Sequence, residues 1–251
     1  MSEVNWVTGL NAVLELLKQN PKSARRVLLK RDREDNRLNA VRSLANAFEI
    51  KVVELDAKAL HQACSEAYQG VALELVAIDQ SSTQPAWEEF LAGLENRDAP
   101  PLLLVLDGVT DPQNLGACLR SADAAGVDAV IIPRDRAARL NATVRRVASG
   151  AAETVNLFSV SNLSRALMQL KERGVWLAGT DDNAMSSLYE QDLRGAIALV
   201  MGSEGRGLRR LTKEKCDFLI GIPMAGAISS LNVSVATGVV LFEAVRQRRI
   251  E

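Results

Sequence analysis

Three segments of this 251-residue chain put polar side chains where a parallel α/β domain would present a ligand, at the carboxyl ends of its strands. In DGVTDPQNLGACLRSADAAG, residues 107–126, the apolar run LLLVL ends at Asp107-Gly108 and Asp111-Pro112 makes a turn. Asn114, Cys118 and Arg120 then follow on a helix rich in small residues. Asn114 has a plain reading as a helix cap. Arg120, about 9 Å further along at the usual rise, has one as a solvated helix arginine. In LVMGSEGRGLRRL, residues 199–211, GxEGxG follows a strand and looks like a dinucleotide fingerprint. GxGxxG is absent, however, and Glu204 would repel a pyrophosphate. The segment suits a ligand without phosphates, approached closely by backbone at Gly202, Gly205 and Gly207; an ordinary Gly-rich turn fits the spacing equally. In IPMAGAISSLNVSVATGVVLFEAVRQRR, residues 222–249, a strand ends at Ile222-Pro223, and Ser229 or Ser230 is expected to cap a long helix. Asn232 and Ser234 sit at its start among Leu231, Val233, Val235 and Ala236.

Other chemistries are excluded by what is scarce. His61 is the single histidine, so a His–Asp relay or a His-rich metal site has nothing to be built from, and no metal is expected. Cys64, Cys118 and Cys216 are far apart and lack CxxC spacing, which reads as reduced cytosolic thiols. No run of 18 apolar residues could cross a membrane, and MSEVNWVTGL has neither the basic start nor the apolar core of an export signal. A cytoplasmic protein is the expectation. The net charge of −1 gives no long-range attraction to nucleic acid. Basic residues nevertheless cluster: Arg25-Arg26 with Lys30-Arg31 and Arg33, then Arg134, Arg136, Arg139, Arg145 and Arg146, then Arg206, Arg209 and Arg210. Each cluster alone reads as a solvated face. The second, following the strand after Arg120, is expected to line the approach to Arg120.

The elements needed to position these residues come from hydrophobic pattern. Gly9 to Gln19 is an amphipathic helix with Leu10, Val13, Leu14 and Leu17 on one stripe. RRVLLK, a helix around Asn39 to Phe48, KVVEL and VALELVA complete a small α/β domain at residues 1–78. DQSSTQPAWEEFLAGLENRDAPP, residues 79–101, reads as an acidic, Pro-containing linker with one short helix. From 102 to 251 the runs LLLVL, AVIIP, TVNLF, VWLA, IALVM and FLIGI alternate with helical stretches, the mark of a parallel sheet covered on both faces.

DPQNLGACLRSADAAG, MGSEGRG and IPMAGAISSLNVSVATGVVLFEAVRQR together closely resemble, in order and spacing, the three signature motifs of the SpoU group of SPOUT RNA methyltransferases. GLNAVLELL and YQGVALEL resemble the small L30e-like substrate-binding domain of the bacterial 23S rRNA guanosine-2′-O-methyltransferases, with Asn11 and Tyr68 where relatives often carry histidine. The resemblance implies a parallel-sheet domain closed by a C-terminal trefoil knot, a fold feature that no periodicity would disclose. It also implies S-adenosyl-L-methionine as methyl donor, a guanosine ribose in 23S rRNA as substrate, and a homodimer formed through the knot. A tRNA enzyme of the same group, or a non-catalytic RNA binder keeping the fold, are the alternatives; the full domain at 1–78 favours rRNA. By the same resemblance Gly202, Ile222 and Leu231 hold the donor, and Asn114, Arg120, Glu204, Ser230 and Asn232 form the catalytic set. Arg120 is expected to clamp a phosphate and to stabilise a developing alkoxide, because a guanidinium does not lose its proton near neutrality.

Overall fold

The first apolar runs pair with one another and leave the later ones to a separate sheet. The computed structural model describes residues 6–31, 35–64, 67, 69–75 and 86–249. In it β1 (Trp6–Thr8), β2 (Ala24–Lys30), β3 (Lys51–Leu55) and β4 (Val71–Leu75) form a sheet of order β1-β4-β2-β3. Only β2 and β3 run parallel. Helices α1 (Leu10–Gln19) and α2 (Asn36–Ala47) close one core over it, with Val13, Leu16 and Leu17 against Val27, Leu38 and Leu73. The Asp35 and Asp56 carboxylates cap α2 and α3 (Ala57–Ala63) by accepting backbone N–H bonds. β1 and α3 carried no clear sequence signal, being too short for a periodic pattern. Arg25 and Arg26 are committed to the buried Glu74. Arg33, Tyr68 and the 76–85 stretch lie outside the described residues. Asn11 is exposed.

The second sheet begins after α4 (Trp87–Gly93). It contains β5 (Leu102–Asp107), β6 (Ala129–Pro133), β7 (Leu157–Val160), β8 (Trp176–Thr180), β9 (Ser186–Ser187), β10 (Ile197–Gly202) and β11 (Phe218–Gly221). Every pairing is parallel, in the order β7-β6-β5-β10-β8-β11-β9. The helices are α5 (Pro112–Ala124), α6 (Ala142–Ala148), α7 (Ala151–Thr154), α8 (Leu163–Lys171), α9 (Arg210–Lys213) and α10 (Val233–Arg249). The strand expected at 154–158 begins three residues later, because 151–154 forms α7. β7 is an edge strand, and there Phe158 and Val160 are buried while Ser159 is exposed, so its apolar run is not continuous.

Two compact units result: Met1–Thr83 with Leu140–Thr154, and Gln84–Arg139 with Val155–Glu251. The short helix expected in the linker is present. It is not a bare connector, since Phe90, Leu91 and Leu94 enter the core of the second unit and Trp87 packs against Phe158. α6 and α7 go with the first unit. There Arg145, only 4% exposed, pairs with Glu153, which withdraws it from the basic approach expected around Arg120.

Candidate ligand clefts at the switch point of the parallel sheet

The second sheet reverses its winding between β5 and β10. From β5 the chain proceeds outward to β6 and β7, and on the other side lie β10, β8 and β11. Open parallel sheets bind ligands in the crevice at such a point, outside the carboxyl ends of the strands. The paired residues there are Asp107 and Gly202. Two clefts open at these ends, separated by the turn Ser203–Gly207.

The turn is held by reciprocal backbone bonds, Ser203 N–H to Gly207 O at 3.1 Å and Gly207 N–H to Ser203 O at 2.9 Å. Its return leg lies so close to Gly202 that a Cβ there would overlap the Gly207 carbonyl carbon. Asp107, 0% exposed, anchors the chain beyond the turn: it accepts from the Arg209 backbone N–H at 3.1 Å and from Arg209 Nε at 2.5 Å. A buried carboxylate left without such donors would be costly.

The first cleft, about 400 Å³, is lined by Gly202 and the turn, by Ile220, Ile222 and Met224, and by Ser229, Ser230 and Leu231. Thr180, Asp181 and Lys213 also line it. Lys213, hydrogen-bonded to Asp181, holds that carboxyl below the usual range. Asp181 and Thr180 were not singled out from sequence. The rule applied to the other strand ends reaches them, since Thr180 ends β8 and Asp181 follows it. The second cleft, about 730 Å³, is lined by residues 107–111, Asn114, Arg136, the turn, Arg209 and Arg210.

Between the clefts three of the named polar residues meet. Asn232 Nδ2 donates to Asn114 Oδ1 at 3.0 Å and to Glu204 Oε1. Asn232 Oδ1 accepts from the Ser234 backbone N–H at 2.9 Å and from Ser234 Oγ at 2.6 Å. Asn232 thus starts α10, and its backbone carbonyl accepts from Ala236 N–H. This displaces Ser229 and Ser230, which stay in the loop and line the first cleft. Asn114 likewise is not a cap: Asp111 caps α5, accepting from Gln113 N–H, with Pro112 pre-set at the first helical position. Asn114, 8% exposed, is free to face Asn232. α5 and α10 pack closely through small residues, with the Cys118 thiol donating to Thr237 Oγ1 at 3.5 Å. Arg248 pins the far end of α10 by donating to the carbonyls of Pro100, Pro101 and Gly195.

Arg120 is not part of this gathering. It lies exposed on α5, lines neither cleft, and makes no hydrogen bond or ion pair with another described residue. Of the other arginines expected beside it, Arg136 lines the second cleft, Arg134 a shallower one near α8, and Arg139 and Arg146 are exposed. Among the described residues no group of three His, Cys, Asp or Glu side chains is arranged to hold a metal. No described helix is long and apolar enough to cross a membrane.

Comparison with known proteins bears on this geometry. Residues 101–242 match the model of the SpoU rRNA Methylase family, and residues 6–80 that of the RNA 2′-O ribose methyltransferase substrate-binding domain. The chain is 51% identical over 250 residues to the 23S rRNA (guanosine-2′-O-)-methyltransferase RlmB of Pseudomonas aeruginosa, covering 99% of this chain and 98% of that protein. Among solved structures it is similar to an RNA 2′-O ribose methyltransferase at TM-score 0.79 and 25% identity, covering 97% of this chain and 88% of the other. The fold is also that of the SpoU methyltransferase AviRb from Streptomyces viridochromogenes, solved in complex with the cofactor AdoMet. There the TM-score is 0.77 at 24% identity, over 97% of this chain and 90% of that one.

Proposed function

Because the chain belongs to the SpoU rRNA methylase family, we propose that it methylates the 2′-oxygen of a guanosine ribose in 23S ribosomal RNA, with S-adenosyl-L-methionine as donor. The observation that carries the reading is the bonded cluster Asn114–Asn232–Glu204 standing between two clefts at the sheet's switch point. The first cleft suits the donor. Its volume falls in the range of small-molecule sites, and its walls are glycine-rich and more polar than apolar. Its three carboxylates, Asp181, Asp182 and Glu204, outnumber the cations Lys213 and Arg206, a balance that favours a cation over a pyrophosphate. Gly202, Ile222 and Leu231 would hold the donor through backbone and apolar contact, and Ser230 through its hydroxyl. Bound there, S-adenosyl-L-methionine supplies an electrophilic methyl group on a sulfonium sulfur.

The protein's own part is to orient a ribose hydroxyl and help it shed a proton. Asn232 spends both amide hydrogens and its oxygen inside the cluster, which leaves the Asn114 NH₂ as the donor turned to the second cleft. That group stabilises charge building on the 2′-oxygen. Arg120 grips a phosphate by its planar fork, and a phosphate oxygen accepts the proton.

A homodimer accompanies this reading. α10 is apolar on two sides: it buries Val233, Val240 and Leu241, yet leaves Val235 and Phe242 exposed one above the other. A second copy covering that stripe would bring Arg120, on the adjoining α5, to the partner's cleft. Family membership further implies that the chain threads a trefoil knot near its end. Support comes from β10 entering the sheet between the earlier strands β5 and β8. The first unit would select the RNA, and a cytoplasmic location goes with that substrate.

Methyl transfer to 23S rRNA, mapped by 2′-O-methyl-sensitive primer extension, is the test. Arg120→Ala is expected to lose transfer while donor affinity, measured by calorimetry, stays at the wild-type value. Mixing Arg120→Ala with Asn114→Ala protomers restores activity if the two residues serve one cleft from different chains, and fails to if they act within one chain.

A further inference from the structure

The second cleft carries more positive charge than its own structure uses. Four guanidinium groups line it, those of Arg136, Arg206, Arg209 and Arg210, against the carboxylates of Asp107, Asp111 and Glu204. Each carboxylate is already engaged: Asp107 by Arg209, Asp111 by the first turn of α5, and Glu204 by Asn232. Arg210 pairs with Glu214. Arg136 and Arg206 are left, both exposed and neither bonded to another described residue. Arg136 is also held in the left-handed backbone region at φ 59, where a residue with a side chain is strained. Its loop is fixed there by the Ala138 N–H donating to Val109 O at 2.8 Å, beside Gly108 at the end of β5. The chain thus accepts a disfavoured conformation at an arginine that pairs with no other described residue, on the wall of a cleft that also holds Asn114.

We infer that Arg136 and Arg206 clamp a backbone phosphate of the RNA on either side of the second cleft, so that the ribose attached to that phosphate faces Asn114. The inference rests on the RNA methyltransferase reading and adds the residues that fix substrate position. Phosphate is the chemistry that fits, because two unengaged planar guanidinium groups match its paired oxygens. Arg136 is the cleaner probe. Arg206 lines both clefts, whereas Arg136 lines only the second.

The experiment is a filter-binding titration of the full chain with a 23S rRNA fragment across salt concentrations, beside calorimetric titration with S-adenosyl-L-methionine. Each phosphate contact contributes about −0.7 to the slope of log affinity against log salt on single-stranded RNA. Arg136→Gln should flatten the slope by up to that amount and leave donor affinity unchanged, and the double variant with Arg206→Gln, which releases the phosphate altogether, should flatten it by about 0.7. Arg136→Gly removes the charge while relieving the left-handed strain. It should melt no lower than wild type and bind RNA as weakly as Arg136→Gln. A wild-type slope in Arg136→Gly, or in the double variant, overturns the clamp. A wild-type chain that binds RNA with the expected slope and transfers no methyl group overturns the functional reading and leaves the clamp standing.

Discussion

At the scale of single residues, the site is organised by an amide with no freedom left. Asn232 uses both N–H groups and both oxygen lone pairs, so its ring of partners, Asn114, Glu204 and Ser234, is fixed before any ligand arrives. Sequence pattern pointed to these residues one by one as strand-end or helix-start polar groups. It could not pair them, because 118 positions separate Asn114 from Asn232 and nothing local records a contact across that span. Local logic also misassigned the caps: several polar residues stand near each helix start, and which of them caps depends on where the preceding loop leaves its extended backbone. Cys118 gives a prediction of its own. Burial, the largest cause, pushes its thiol up from the ordinary 9.0 to about 11, with the Thr237 bond opposing. A raised thiol value means the folded state holds its proton longer than the unfolded chain. The associated stability is complete below pH 9 and is lost as pH rises from there through about 11. Denaturation midpoints measured from about pH 8 to pH 10 should therefore fall more steeply for wild type than for Cys118→Ala. Equal slopes would show that the buried thiol does not titrate in this way.

At the scale of elements, the sharpest dependence is that of β10 on its last residue. Gly202→Ala places a methyl against the Gly207 backbone, which is not a flexible side chain that can swing away. The turn must open, at about 1–3 kcal/mol for overpacking of this kind. Since the turn walls the first cleft, donor affinity should fall together with the urea midpoint. A variant that lost donor binding at full stability would show that the turn moves without cost. The central strands β5, β6 and β10 were legible because they are buried on both faces and read as unbroken apolar runs. Those missed or shifted are the ones that geometry exempts from this rule: three-residue β1, two-residue β9 and the half-exposed edge strand β7.

At the scale of the whole molecule, the stretch that reads as a linker is partly core. A chain begun at residue 98 would lose Phe90, Leu91 and Leu94, each worth roughly 1.5–3 kcal/mol of burial. Their sum approaches the net stability of about 5–15 kcal/mol typical of a domain. Such a fragment should aggregate or unfold where one begun at residue 84 keeps more of its native signal in circular dichroism; equal behaviour would mean α4 is dispensable. Composition concealed this, because Pro, Ser and acidic residues dominate the stretch while the three apolar side chains that matter are spaced as one helical face. The sheet order carries one more consequence, in time instead of space. β5 pairs with β10 from Leu102–Ile197 to Asp107–Gly202, about 95 residues further along the chain. During synthesis at about 5–20 residues per second, the inner edge of β5 waits on the order of 5–20 s for its partner, a bare strand edge that is apolar up to Asp107 and of the kind that recruits other chains. The crevice between these strands forms only after that wait. A nascent chain therefore passes through an interval of aggregation risk in which it has no ligand site, and holdase chaperones would find their target in β5.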